Sequence, residues 1–258
     1  MTHSELRALF DSEMRQRVEA NGFVREEADS IVRHVSEHQE KGFVIYSSLT
    51  EENVQQTIEQ EKERFRKAKQ GFEWKVYTYD RPENLKAFLE KAGFRSEEPE
   101  ALMIMNLEGE QWFINEDTSK VVEITDEKGI RDIIALEDTI WGESHAELGM
   151  RLLRDKQEEG NLLSIFGIYE DGILISSAWM YLEGEQFASL WGGATLPEYR
   201  GKGYYTKLLA ARAKRAFNKN HPYLTVDARP MSQPILEKVG FECLGYSYAC
   251  HSPEVSFD

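Results

Sequence analysis

Between residues 162 and 196 apolar runs alternate with short polar breaks. Stretches 162–169, 173–182 and 186–196 are rich in strand-forming residues, and Glu-Asp-Gly and Glu-Gly-Glu between them are good hairpin turns. The period then changes. Leu208, Leu209, Ala211, Ala213 and Ala216 have helical spacing, which predicts a helix over 204–218. A strand over 223–227, a short helix over 232–238 and a last strand over 243–251 follow. Upstream, 121–125 reads as a strand, 129–141 as a helix with Ile130, Ile133, Ile134 and Leu136 on its apolar face, and 146–158 as a second helix. Nearer the N-terminus the pattern predicts strands at 43–48 and 74–80 around a helix at 51–69. Residues 31–38 read as an amphipathic helix with Ile31, Val32 and Val35 inward.

One ending occurs twice. Phe88-Leu-Glu-Lys-Ala-Gly-Phe94 mirrors Ile235-Leu-Glu-Lys-Val-Gly-Phe241 at a constant offset of 147 residues. Gly93 and Gly240 are what a helix C-terminus favours, because glycine turns left-handed without a Cβ clash. The repeat predicts that the N-terminal region is a degenerate, partial copy of the C-terminal one. The boundary falls in the polar stretch 115–120, giving domains 1–117 and 118–258. Leu-Glu-Gly-Glu-Gln also recurs, at 107–111 and 182–186. Its offset does not fit the repeat, and both read as hairpin turns.

At 258 residues the chain is comfortable for two domains. No run approaches the roughly 18 apolar residues of a membrane span, and the N-terminus lacks the basic-then-apolar pattern of a secretory signal. Cys243 and Cys250 stand an odd number of residues apart, so a regular strand puts them on opposite faces. They read as reduced thiols of a cytoplasmic protein. The net charge of −15 argues against nonspecific nucleic-acid binding, and no membrane partner is expected. Against that background residues 196–220 hold Arg200, Lys202, Lys207, Arg212, Lys214, Arg215 and Lys219 with Glu198 as their sole acid. A basic island of this kind suits a polyanionic ligand; a solvated helix face is the alternative.

The island contains the most informative string. Leu190-Trp-Gly-Gly-Ala-Thr-Leu-Pro-Glu-Tyr-Arg-Gly-Lys-Gly-Tyr-Tyr-Thr-Lys-Leu-Leu209 runs from an apolar strand through a two-glycine loop into a helix. The first amides of a helix have no intrahelical acceptor, and the dipole sets about half a positive charge beside them. Such a terminus takes phosphate readily. The string is neither a nucleoside-triphosphate loop nor a complete dinucleotide fingerprint. It would also serve as a turn capping an ordinary helix.

Arg200-Gly-Lys-Gly-Tyr204 resembles the pyrophosphate loop of the GCN5-related N-acetyltransferases (GNAT), Gln/Arg-x-x-Gly-x-Gly/Ala, with Tyr205 at the sixth place in lieu of Gly or Ala. The short helix before Gly240-Phe241, 37 residues after Gly203, resembles the family's second marker. The resemblance implies an α/β (α+β) acyl-CoA N-acyltransferase fold, a mixed and largely antiparallel sheet flanked by helices, preceded by a partial copy. It implies acetyl-CoA as co-substrate and a small-molecule primary amine as acceptor, with a homodimer left open. Cofactor contacts then fall on Ala194, Thr195, Leu196, Arg200, Gly201, Lys202, Gly203, Tyr204, Tyr205, Thr206 and Ser232. The amides of Ala194, Thr195 and Leu196 would line the splay of the preceding strand.

For the general base the family commonly uses a carboxylate on the central strands, and Asp227, ending the strand at 223–227, is the candidate. Glu183 and Glu185 read as solvated turn residues; Glu143 and His145 are candidate acceptor contacts, with a purely structural role as the preferred reading. The place where family members often carry an acidic Tyr holds Leu236; Tyr246 and Tyr248 have no supporting spacing. A catalytically silent acetyl-CoA binder is the alternative to an enzyme. In the N-terminal copy the link Ser47-Ser-Leu-Thr-Glu-Glu-Asn53 has no glycine and two acids, which repel a pyrophosphate. His34-Val-Ser-Glu-His38 matches a zinc-peptidase string, but solvated histidines on the expected helix are the preferred reading, and no metal is expected.

Overall fold

Along the chain the elements run α1 (His3–Phe10), a π-helical turn (Asp11–Gln16), β1 (Phe23–Ala28), β2 (Ile31–Ser36), β3 (Gly42–Ser47), α2 (Val54–Ala68), β4 (Phe72–Tyr77), α3 (Leu85–Lys91), β5 (Arg95–Ser96), β6 (Glu100–Asn106), α4 (Trp112–Asn115), β7 (Val121–Glu123), α5 (Glu127–Trp141), α6 (Ala146–Glu158), β8 (Leu163–Glu170), β9 (Ile173–Glu183), β10 (Phe187–Thr195), a 3-10 turn (Pro197–Tyr199), α7 (Tyr204–Asn218), β11 (Tyr223–Ala228), α8 (Gln233–Lys238) and β12 (Glu242–His251). They come from a computed structural model that describes residues 1–158 and 160–253. The fold is mixed α/β with a largely antiparallel sheet flanked by helices. Two compact units divide the chain: residues 1–103 with the C-terminal segment from 227, and residues 104–226. The chain passes from the first unit to the second inside β6 and returns inside β11. Among the described residues no helix is long and apolar enough to cross a membrane.

In the second unit the strand order is β11-β10-β9-β8-β7. All its pairs are antiparallel except β10 with β11, which run parallel from Phe187↔Tyr223 to Ser189↔Thr225. Antiparallel pairing alternates side chains between faces. On one face Leu163, Ile165, Leu174 and Trp179 therefore join Ile130, Ile133 and Leu136 of α5 and Leu152 of α6 in one core. Asp126 caps α5 by accepting the Gly129 N–H at 2.8 Å, and Gly142, at φ +73°, stops it. Leu208, Leu209, Ala213 and Ala216 form the buried stripe of α7.

The first unit repeats this logic. Its order is β1-β2-β3-β4-β12, with β3 and β4 parallel over Gly42–Val44 and Phe72–Trp74. The run β3-α2-β4-α3 matches β10-α7-β11-α8 element for element. β12, from the far end of the chain, pairs antiparallel with β4 over Ser247–His251. Val44, Ile58, Phe65, Trp74 and Leu89 are essentially inaccessible and fill the space between sheet and helices. Gly42 is obligatory there, because a Cβ would lie 2.3 Å from the Phe65 ring and 2.6 Å from the His34 carbonyl oxygen.

Two local expectations fail. Residues 31–38 are not helical: β2 covers Ile31–Ser36 and pairs with both β1 and β3. The β-branched run of Ile31, Val32 and Val35 prefers the pleat. His34 is fully buried, bonds the Val18 carbonyl oxygen at 3.0 Å and stacks on Phe43 at 4.6 Å. It is not solvated, and burial pushes its pKa down to about 4. The stretch 107–111 is not a hairpin but a turn leading from β6 into α4, whereas 182–186 does join β9 to β10.

Candidate functional site

The site is built where β10 leaves its neighbour β11. Ser189↔Thr225 is their last paired position. Beyond it β10 takes three steps from Trp191 to Ala194 while β9 takes two, from Trp179 to Ser177, so one extra residue bulges. Gly192 and Gly193 make the bulge feasible. Gly192 has φ +60°, and a Cβ there would lie 1.8 Å from the Trp179 ring. A Cβ on Gly193 would lie 2.8 Å from Tyr205. Thus Tyr205, the residue that departs from the family pattern, rests against a position emptied of side chain. Its bulk is compensated on the neighbouring strand.

Past the bulge the strand amides divide. The Leu196 N–H donates to Ile175 O at 2.9 Å. Leu196 is therefore corrected from a ligand contact to a sheet contact. Successive residues of a strand present their backbone groups to opposite edges, so Ala194, in register with Ser177, shares that side. Thr195 is the one of the three whose N–H faces away from β9; its carbonyl accepts from Arg200 Nε at 3.1 Å.

The loop then turns at Gly201 (φ +75°) and Gly203 (φ +81°), and Gly203 caps α7 with no side-chain hydrogen bond. The left-handed conformation favours glycine at both, and nothing lies within 4 Å of where either Cβ would be. The amides of Gly201, Lys202, Gly203, Tyr204, Tyr205 and Thr206 make no described hydrogen bond, so six donors and a helix dipole converge. The residue set fits a pyrophosphate group: open backbone donors, no side chain in the way, and cations on the rim.

Those cations are fewer than the basic island promised. Lys207 pairs with Glu116 and Asp117, Lys214 donates to Glu116 O and Thr118 Oγ1, and Arg215 pairs with Glu123. Among the described residues Arg200 and Lys202 stay exposed and form no ion pair within 4 Å, with Lys202 Nζ 4.8 Å from the Tyr199 ring. Tyr204 donates its hydroxyl to Glu170 at 3.1 Å, which also binds Lys120.

Arg212 is buried among the inward residues of α7. Its guanidinium reaches the carbonyl oxygens of Leu208 at 3.3 Å and of Trp179 and Trp191 at 3.4 Å. Desolvation pulls its pKa down to about 10 against the pull of Tyr205. It braces the bulge from below. The signal was legible, since Arg212 lies four residues after Leu208 and four before Ala216, on the buried stripe.

Glu183 was also missed. β9 continues through it and it pairs with Phe187, so it belongs to the strand and not to the solvated turn. Burial pushes its carboxyl up to about 7, opposed by a hydrogen bond from Ser189. Ser189 in turn accepts the indole N–H of Trp191 at 2.8 Å. A carboxyl poised near neutrality is suited to take a proton.

Asp227 and Ser232 lie in the first unit. Asp227 is 2.9 Å from Lys75 Nζ and accepts from Ser247 Oγ at 3.0 Å. Its carboxylate is thus already engaged by an ammonium and a hydroxyl. Ser232 donates to the carbonyl of Arg229 within its own turn at 3.1 Å. Leu236 is fully buried in α8. His145 bonds Asp138 at 3.0 Å and sits between α5 and α6 with Glu143.

Comparison with known proteins decides the family. Residues 130–241, which contain the bulge, the loop and α8, match the acetyltransferase (GNAT) family. The chain carries a GNAT domain. No curated protein matches the sequence. Among solved structures, a GCN5-related N-acetyltransferase from Kribbella flavida shares the fold with a TM-score of 0.70 at 13% identity, covering 99% of this chain and 96% of that one. A conserved protein of unknown function from Staphylococcus epidermidis ATCC 12228 aligns with a TM-score of 0.68 at 12% identity over 93% and 97% of the two chains. A tandem GNAT protein from the clavulanic acid biosynthesis pathway aligns at 0.57 and 13% identity over 93% and 86%. The fold of this chain is thus shared over almost its whole length with these proteins, and the domain is of the acyltransferase class.

Proposed function

We infer that this protein is an N-acetyltransferase that moves an acetyl group from acetyl-CoA to a primary amine in the cytoplasm. The observation that carries the reading is the set of unpartnered amides from Gly201 to Thr206 at the start of α7, flanked by Arg200 and Lys202. Those amides and the two cations would hold the pyrophosphate of CoA, and the Thr195 N–H would meet the pantetheine arm in the splay. Bound acetyl-CoA supplies an activated thioester carbonyl. Glu183 takes the base role that the sequence assigned to Asp227, because its desolvated carboxyl accepts a proton from an ammonium while Asp227 is tied to Lys75. Removing that proton frees the nitrogen lone pair for attack on the thioester carbonyl. The departing thiolate can take its proton from water, so a buried Leu236 is compatible with turnover.

The test is release of free CoA thiol from acetyl-CoA on adding a panel of primary amines. Turnover with at least one amine supports the enzyme. Tight CoA binding without turnover across the panel supports the silent-binder reading.

A further inference from the structure

We propose that the sheet face beside the loop carries an acceptor subsite for an organic ammonium ion flanked by a flat apolar group, formed by the carboxylate of Glu183 and the indole face of Trp191 with Ser189 between them. The proposal deepens the acetyltransferase reading by naming the acceptor class, and rests on it only for the meaning of the subsite.

Antiparallel registry puts Glu183, Tyr181 and Trp179 of β9 on the same face as Phe187, Ser189 and Trp191 of β10. Trp191 is 51% exposed, whereas Leu190 before it is 5% and Ala194 beyond the bulge 8%. Nor is its indole loose. The N–H donates to Ser189 Oγ at 2.8 Å, and the ladder sets Ser189 between Trp191 and the position opposite Glu183 on the same face. The aromatic face and the carboxylate thus flank one hydroxyl.

Glu183 has no cationic partner among the described residues, although the surrounding protein contains arginines and lysines that pair elsewhere. A desolvated carboxylate without a counter-ion gains most from an ammonium. An exposed indole gains from the same charge through its ring quadrupole. The larger polar hydrogens of the patch are spent: Tyr181 donates to Asp155 at 2.7 Å and Trp191 to Ser189 at 2.8 Å. A polyhydroxylated amine would find few partners here and would leave hydroxyls unsatisfied on binding. A cation with a flat apolar flank leaves none.

The test uses the full chain labelled with 15N and follows the indole N–H resonances, assigning Trp191 through Trp191→Phe. Three probes that need no acetyl-CoA are titrated at about pH 8.5, where Glu183 is ionised: benzyltrimethylammonium, benzyl alcohol and glucosamine. Benzyltrimethylammonium is expected to shift the Trp191 resonance and to bind about tenfold or more tightly than either of the others. Glu183→Gln and Trp191→Ala should each weaken it about fivefold or more, and Trp191→Phe by about twofold. An unchanged pattern of the other indole resonances shows that the variants fold. Equal binding of cation and alcohol, equal binding of glucosamine, or an affinity indifferent to Glu183→Gln would overturn the proposal. CoA titrated in parallel separates the two claims: lost CoA binding sinks the acetyltransferase reading, and lost probe selectivity sinks only the subsite.

Discussion

The strand-to-helix links of the two units occupy the same place in the repeated element order and have opposite fates. From Gly201 to Thr206 the amides of the second link have no described acceptor. In the first link five of the seven amides from Ser48 to Val54 are taken within the protein. Ser48 N–H donates to Ser30 O, Leu49 to Arg81 O, Thr50 to Asn53 Oδ1, and both Asn53 and Val54 to Thr50 O. The strand before it is closed as well, because Arg15 Nε donates to Ile45 O just past the last paired residues of β3 and β4, and Asp80 accepts the Tyr77 N–H. Absent glycines and two acids made the first link look hostile to phosphate. The structure adds the stronger reason: most of its backbone donors are already spent. An anion site is defined by what its amides are not bonded to.

That contrast can be broken deliberately. Gly203→Asp places a Cβ at φ +81° and a carboxylate among the open amides. It is expected to weaken CoA binding by about 100-fold or more by calorimetry while the far-ultraviolet circular dichroism is preserved. Glu51→Gln with Glu52→Gln, made in the first link, should leave CoA affinity within about twofold, because removing charge frees no amide.

The two buried arginines extend the comparison. Arg15 is bonded to Asp11 and Asp80 at 2.8 Å each and lies against Tyr77 at 4.2 Å. Among the described residues Arg212 has carbonyl oxygens and Tyr205 for partners and no carboxylate. Arg15→Ala strands two carboxylates, one of them buried, and should cost about 3–5 kcal/mol in urea unfolding. Arg212→Met removes a desolvated charge that has no counter-ion and should cost about 1 kcal/mol or less. A larger loss for Arg212→Met than for Arg15→Ala would show that the bulge depends on its brace more than the geometry implies.

Glu183 and His34 give pH signatures of opposite sign. The carboxyl of Glu183 is raised to about 7 in the folded protein, so kcat/KM should rise with pH through about 7, and Glu183→Gln should flatten that limb and lower kcat about 10- to 100-fold. Above about 7 the folded state holds a desolvated anion, whereas well below the ordinary carboxylate range both states are protonated. Glu183→Gln should therefore raise Tm at about pH 8.5 and leave it nearly unchanged at about pH 4. His34 is depressed to about 4, so its contribution to stability is full above about 6.5 and is lost as pH falls towards 4. His34→Gln should reduce the fall of Tm over that window, the smallest effect in the series.

Strong periodicity made much of this legible. α7 is legible with its observed bounds because its apolar stripe is regular, and β8, β9 and β10 to within about a residue at each end because turns punctuate them. The recurring Leu-Glu-Lys-x-Gly-Phe ending pointed to the doubled element order. Short β-branched runs were ambiguous, so β2 was taken for a helix. Sequence showed the charge of Lys207, Lys214 and Arg215 but not the carboxylates and carbonyls, distant along the chain, that absorb it. Glu183 was hidden because its burial depends on strand pairing, and the spent amide of Leu196 depends on the register with β9.

The central claim concerns which backbone donors remain open, and amide resonances report it directly. In a 15N-labelled sample titrated with CoA, the amides of Gly201 to Thr206 should shift strongly and saturably while those of Ser48 to Val54 do not move. Comparable shifts in both links, or none in the second, would contradict the account.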